Sequence, residues 1–217
     1  MSLAIFDLDK TLLTGDSDHA WGEFLAERNL VDGEHYAHEN DRFYRAYQEG
    51  TLDIYDYLAF ALRPLSQHDR ETLARWRREF VRIKVLPMIT PAARELVAKH
   101  RAAGQTLVII TATNDFITQP IAEEFGVDNL IATRAEVVVG RYTGNVKGTP
   151  CYRAGKIERL RAWMAEHDET LAGSWCYSDS HNDIPLLEIV DHPVAVNPDE
   201  MLREHAQSRG WPTIELH

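Results

Sequence analysis

The opening stretch L-A-I-F-D-L-D-K-T-L-L ends a short apolar run in two acids one residue apart, Asp7 and Asp9. Carboxylates that close repel each other and lose hydration when buried, so they either face solvent or share a positive group. Further along, Thr111 ends the apolar run T-L-V-I-I-T, Lys156 closes A-G-K, and W-C-Y leads into S-D-S-H-N-D, which carries Asp179 and Asp183. In an open parallel sheet ligands bind at the carboxyl ends of the strands, where these four acids, the hydroxyl and the lysine would converge. Hard oxygen ligands of this kind suit Mg²⁺, which takes one or two carboxylates, keeps several waters and usually shares a phosphate. The expected positive group is therefore a metal ion.

Positioning such a set needs strands, and the chain has two textures. Residues 3–6 read as a short buried strand. From about residue 17 to about residue 82 there are only helical signals, such as A-W-G-E-F-L-A-E-R and R-E-T-L-A-R-W-R-R-E-F, with apolar residues at three and four residue spacing. From Pro91 strands and helices alternate: a helix closed by Gly104, the strand T-L-V-I-I-T, a helix near residues 116–125, and the strand N-L-I-A-T. A hairpin turning at Gly140, a helix over 154–166, the strand S-W-C-Y-S, the helix I-P-L-L-E-I-V and the strand P-V-A-V follow. Alternation of this kind predicts an α/β fold with a doubly wound parallel sheet, into which an all-helical domain is inserted after the first strand. The expected division is a sheet domain of residues 1–15 and 83–217 and a helical cap of residues 16–82.

Composition excludes several classes. With 217 residues and 44% apolar content the chain can bury a proper core, and no apolar stretch is long enough for a membrane span. No basic segment precedes an apolar one as in a signal peptide, which places the expected protein in the cytoplasm. Cys151 and Cys176 make no disulfide framework. A net charge of -11 without Lys or Arg clusters argues against nucleic acid, while local positive groups could still hold a small anionic substrate.

Together D-L-D-K-T-L-L, Thr111, Lys156 and S-D-S-H-N-D resemble the four motifs of the haloacid dehalogenase superfamily, in its phosphoserine phosphatase-like branch with a helical cap. The resemblance implies a Rossmann-like core and a Mg²⁺-dependent phosphomonoester hydrolase that works on a small phosphorylated metabolite through an aspartyl phosphate. The positions of Thr11 and Leu12 set the register and make Asp7 the implied nucleophile. By the same resemblance Asp7 and Asp179 coordinate the metal through carboxylates and Asp9 through its backbone carbonyl, while Asp183 holds a metal-bound water or positions Asp179. The Asp9 side chain is then the general acid and base, and Lys156 neutralises charge. Thr111 and the amides around Leu8 hydrogen-bond the phosphoryl oxygens, with Thr11, Asp16, Ala112, Thr113 and Asn114 expected around the substrate. Asn114 could equally cap the next helix.

Departures from phosphoserine phosphatases bear on the substrate. Lys10 replaces a Ser, and Asp16 replaces the Glu that meets the substrate amine. E-G-T-L-D-I-Y-D-Y-L-A-F-A-L puts Ala61 where an Arg would pair with the substrate carboxylate, and Thr111, Ala112 and Thr113 replace S-G-G. An unpaired buried carboxylate is costly, so a phosphorylated amino alcohol such as histidinol phosphate is expected, unless Arg42 or Arg45 substitutes for the missing Arg. The alternatives are a phosphoserine phosphatase, a phosphotransferase, and a receiver-like phospho-accepting module. The last usually carries its accepting Asp after the third strand and has no large helical insertion.

Overall fold

The computed structural model describes residues 2–217. Strand β1 (Leu3–Phe6) is buried along its whole length and pairs in parallel with β2 (Thr106–Asn114) on one side and β6 (Trp175–Ser178) on the other. Strands β3 (Asn129–Thr133), β7 (His192–Val196) and β8 (Thr213–Ile214) complete a six-stranded parallel sheet of order β3-β2-β1-β6-β7-β8. Both faces are covered, which is why the central strands read as unbroken apolar runs. Side chains alternate across β1: Ala4 and Phe6 join one core cluster with residues of α6 (Pro91–Ala102) and α7 (Asp115–Glu124). Leu3 and Ile5 join another with α8 (Ala154–His167), α9 (Ile184–Leu187) and α10 (Glu200–Arg209).

Between β1 and α6 the chain forms α1 (Ser17–Glu27), α2 (Gly33–Gln48), α3 (Ile54–Ala61), α4 (Arg63–Gln67) and α5 (Arg70–Phe80). Aspartates start three of them: the carboxylates of Asp16, Asp53 and Asp69 accept backbone N–H groups of α1, α3 and α5. Trp21 of α1 meets Phe80 edge-on at 5.2 Å and Phe116 of α7 at 5.5 Å, so the insertion and the sheet share one apolar cluster. The hairpin at Gly140, β4 (Ala135–Val138) with β5 (Arg141–Val146), is antiparallel and stands outside the main sheet.

Four details differ from the sequence expectation. β2 runs on to Asn114, with a register shift against β3 after Thr111. The helix from Ile184 stops at Leu187 rather than 190. Helical structure does not break at 82, because α5 passes into a π turn over Val81–Val85. Finally, α10 and β8 were not foreseen, although Asp199 and Gly210 bracket α10 with the expected start and stop residues.

Candidate active site

β1 delivers Asp7, whose N–H donates to the Tyr177 carbonyl at 2.9 Å. The chain then folds into one tight turn in which the Leu8 carbonyl accepts N–H groups of Thr11, Leu12 and Leu13. That turn swings Thr11, fully buried, back beneath Asp7. Its Oγ1 lies 3.1 Å from Asp7 Oδ2 and 3.1 Å from Asp179 Oδ1, and it accepts the Asp179 N–H at 3.0 Å. A hydroxyl has one proton, so Thr11 serves only one of the two carboxylates at a time.

α8 supplies the cation. Lys156, 3% exposed, donates from Nζ to Asp7 Oδ1 and to Asp183 Oδ2, both at 2.7 Å. Burial alone would lower its pKa, but Asp183 and Asp7 outweigh it and hold the amine charged, well above its usual range. Ser178 at the end of β6 also donates to Asp183 Oδ2 at 2.7 Å. Asp9 faces the other way: its Oδ1 accepts the Ser17 N–H at 2.6 Å and its Oδ2 the Thr113 hydroxyl at 2.8 Å, with Thr111 Oγ1 at 3.5 Å.

One lysine among four carboxylates leaves negative charge uncompensated. Burial, only partly offset by Lys156, pushes the Asp7 carboxyl up to about 6. Burial and then Asp16 push Asp9 up to about 7, and burial with Asp7 and Asp183 holds Asp179 well above the carboxylate range. A cation would relieve all three, and oxygen-only donors beside a buried acid pair are the set Mg²⁺ accepts. Among the described residues no three Asp, Glu, His or Cys side chains form a ready cluster of ligands.

In front of Asp7 and Asp9 lies a cavity of about 50 Å³. The sheet lines it with Thr111, Ala112 and Thr113, and the helices with Asp16, Asp18, His19, Asn40, Phe43, Tyr44, Tyr47 and Tyr57. No Lys or Arg is among the lining residues. A model of the haloacid dehalogenase-like hydrolases matches residues 4–188 of this chain.

The chain is a haloacid dehalogenase-like hydrolase. Over 219 residues it is 48% identical to the histidinol-phosphatase of Neisseria meningitidis serogroup C, covering 99% of each chain. A solved protein of unknown function from Bordetella pertussis Tohama I superposes with a TM-score of 0.94 at 44% identity, covering 100% of this chain and 99% of that one. A substrate-bound phosphoserine phosphatase shares the fold, with a TM-score of 0.72 at 21% identity over 98% of this chain and 92% of that one.

In this hydrolase most residues expected at the site come together. Asp7, Asp9, Asp16, Thr111, Ala112 and Thr113 line the cavity, with Lys156, Asp179 and Asp183 around Asp7. Asn114 and Thr11, expected around the substrate, are engaged within the protein, while the amide at Leu8 stays free. Asn114 caps α7, its Oδ1 accepting the Ile117 N–H at 3.4 Å, and does not line the cavity. Thr11 is consumed by two aspartates. The Leu8 side chain is in the core and its carbonyl is taken by the turn, which leaves only its amide, without a partner among the described residues. Asp16 lines the cavity and also caps α1, its Oδ1 accepting the N–H groups of Asp18 (3.1 Å) and His19 (2.9 Å).

Sequence reasoning placed Ser178 at a strand end without a role and missed Asp18 and Arg153. Burial and then Asp16 and Asp9 push the Asp18 carboxyl up to about 8, against the opposing Tyr57 hydroxyl. Arg153, at φ 49°, donates from Nε to Asn182 Oδ1 at 2.8 Å and from Nη2 to the Gly50 carbonyl at 2.6 Å, tying the α2–α3 turn to the loop after β6. The signal for Arg153 was its place three residues before Lys156.

Proposed function

We propose that the enzyme hydrolyses a small phosphomonoester whose alcohol carries an amine and no carboxylate, with histidinol phosphate as the leading substrate. The observation that carries this reading is the cavity, which brings Asp9, Asp16 and Asp18 to the ligand and no Lys or Arg. Neither arginine that could replace the missing partner is there: Arg42 pairs with Glu39 on the surface at 2.7 Å, and Arg45 is exposed on α2. The position expected for an Arg is Ala61, buried and uncharged. A carboxylate entering this cavity would meet like charge and lose its hydration. The relative of 48% identity named for histidinol phosphate points the same way.

In the proposed reaction an Asp7 oxygen attacks phosphorus and the ester oxygen leaves. Asp9 gives that oxygen its proton, then takes one from the water that hydrolyses the aspartyl phosphate, releasing phosphate and restoring Asp7. A carboxyl near 7 exchanges protons at neutral pH, which suits both halves of that task. Lys156 offsets the repulsion between Asp7 and the phosphoryl group, and the Leu8 amide and Thr111 hydroxyl donate to its oxygens. Mg²⁺, held by the carboxylates of Asp7 and Asp179 and the Asp9 carbonyl with Asp183 behind them, would supply positive charge against those same oxygens. Residues 16–82 act as a cap over the core of residues 1–15 and 83–217, excluding water and reading the leaving group. A metabolite substrate and two free buried thiols, Cys151 and Cys176, suit the reducing cytoplasm.

The test compares kcat/KM for histidinol phosphate and phosphoserine on one preparation, with EDTA and then added Mg²⁺ as controls. Preference for histidinol phosphate and loss of turnover in EDTA are expected. A preference for phosphoserine would overturn the substrate, and full turnover in EDTA would overturn the metal.

A further inference from the structure

We infer that Asp18, with Tyr57 and Asn40, forms a second cation subsite that seats a flat, protonated nitrogen ring of the substrate, separate from the amine that Asp16 meets. The inference rests on the phosphatase reading above and adds the residue that selects the ring.

Three observations carry it. Asp18 lines the cavity with the Tyr57 hydroxyl beside it, and no cation is among the groups acting on its carboxylate. Lys10 lies over the Tyr44 ring, 4.7 Å from its centroid, and its charge acts on Asp16 and Asp179 rather than on Asp18. Asn40, 4% exposed, lines the same cavity, and its Nδ2 donates to the His19 carbonyl at 2.9 Å. A carbonyl accepts only, so this bond fixes which end of the amide is which and leaves Asn40 Oδ1 without a partner among the described residues. Asp18, whose one donor is the Tyr57 hydroxyl, and Asn40 Oδ1, which has none, share one cavity and call for a ligand that brings N–H groups of its own. Phe43 and Tyr57, with ring centroids 5.3 Å apart, line the same cavity and give it aromatic surface against which a flat cation rests favourably. Asp16 cannot do this work too, because one of its oxygens is committed to the start of α1.

The test uses histamine, which has an imidazole and an ammonium, and ethanolamine, which has only the ammonium, as inhibitors of p-nitrophenyl phosphate hydrolysis. Histamine should inhibit the wild type at a concentration about tenfold lower, and Asp18→Asn should raise its inhibition constant about tenfold, the loss of one charged hydrogen bond. Tyr57→Phe should raise it less, and Asp18→Glu should recover part of the loss. For histidinol phosphate the Asp18→Asn loss should lie mainly in KM and exceed the loss for p-nitrophenyl phosphate. Histamine binding no better than ethanolamine, or equally well to Asp18→Asn, would overturn the subsite; if Asp18→Asn does not fold, Tyr57→Phe decides by the same readout. A wild type that discriminates histamine but does not turn over histidinol phosphate would refute the substrate and support the subsite.

Discussion

Asp7 and Asp9, separated by Leu8 alone, meet different surroundings, one against Lys156 and one against two donors, the Ser17 N–H of α1 and the Thr113 hydroxyl of β2. Asp7→Asn should therefore form no phosphoenzyme, whereas Asp9→Asn should still form one slowly from an aryl phosphate, as acid-quench trapping of labelled phosphate would read. With a poor leaving group the active form has Asp9 protonated, and a carboxyl raised to about 7 loses that proton as pH rises. The rate of phosphoenzyme formation should fall above about pH 7 for an alkyl ester and stay flatter for an aryl ester. Thr113→Val removes the 2.8 Å bond that aims Asp9 and should cut kcat for an alkyl ester about tenfold, with KM nearly unchanged. These aspartates and Lys156 were legible because their type and place after an apolar run are chemical in themselves. The bond from Thr113 to Asp9 was not legible, since the two are 104 positions apart, and nothing local to Ser178 says that it holds Asp183.

α8 shows how an element sets a residue. A Cβ on Gly155 would lie 2.1 Å from the Pro150 carbonyl oxygen, so the helix can start that close to the preceding loop only with Gly beside Lys156. Gly155→Ala should displace Lys156, and activity should fall further than a Leu-to-Ala change elsewhere on α8, at equal loss of thermal stability, would explain. Arg153→Ala cuts the tie between the α2–α3 turn and the loop after β6. It should speed hydrogen exchange in α2 and α3 and raise KM for the specific substrate more than for an aryl phosphate; unchanged exchange would remove its role as a latch. Gly50 fits that contact, with φ 70° and Arg153 and His181 each 3.1 Å from where a Cβ would stand. The long elements were legible from apolar period alone. β8 was not, since two residues that pair only through main chain leave no pattern, and the shared Trp21–Phe116 contact hides the boundary that the change of texture had suggested.

Across the whole molecule, the raised acids make stability depend on pH in an unusual direction. Asp7, Asp9 and Asp18, near 6, 7 and 8 when folded and ordinary when unfolded, hold protons in the folded state that the unfolded chain has lost. The metal-free protein should thus lose stability as pH rises from about 4 to about 8. Mg²⁺ should raise Tm more at pH 8 than at pH 5.5, and equal increments would remove the charge argument. The sheet order has another consequence, in time rather than space. β1 is made first yet sits mid-sheet, between partners that begin at Thr106 and Trp175. At about 5–20 residues per second, those partners leave the ribosome roughly 5–20 s and 9–34 s after it. The α1–α5 segment can coil in that interval, but the strand that carries Asp7 cannot be closed on both sides. Ribosome-bound chains ending before residue 170 should accordingly bind a holdase chaperone at the first strand, and full-length released chains should not.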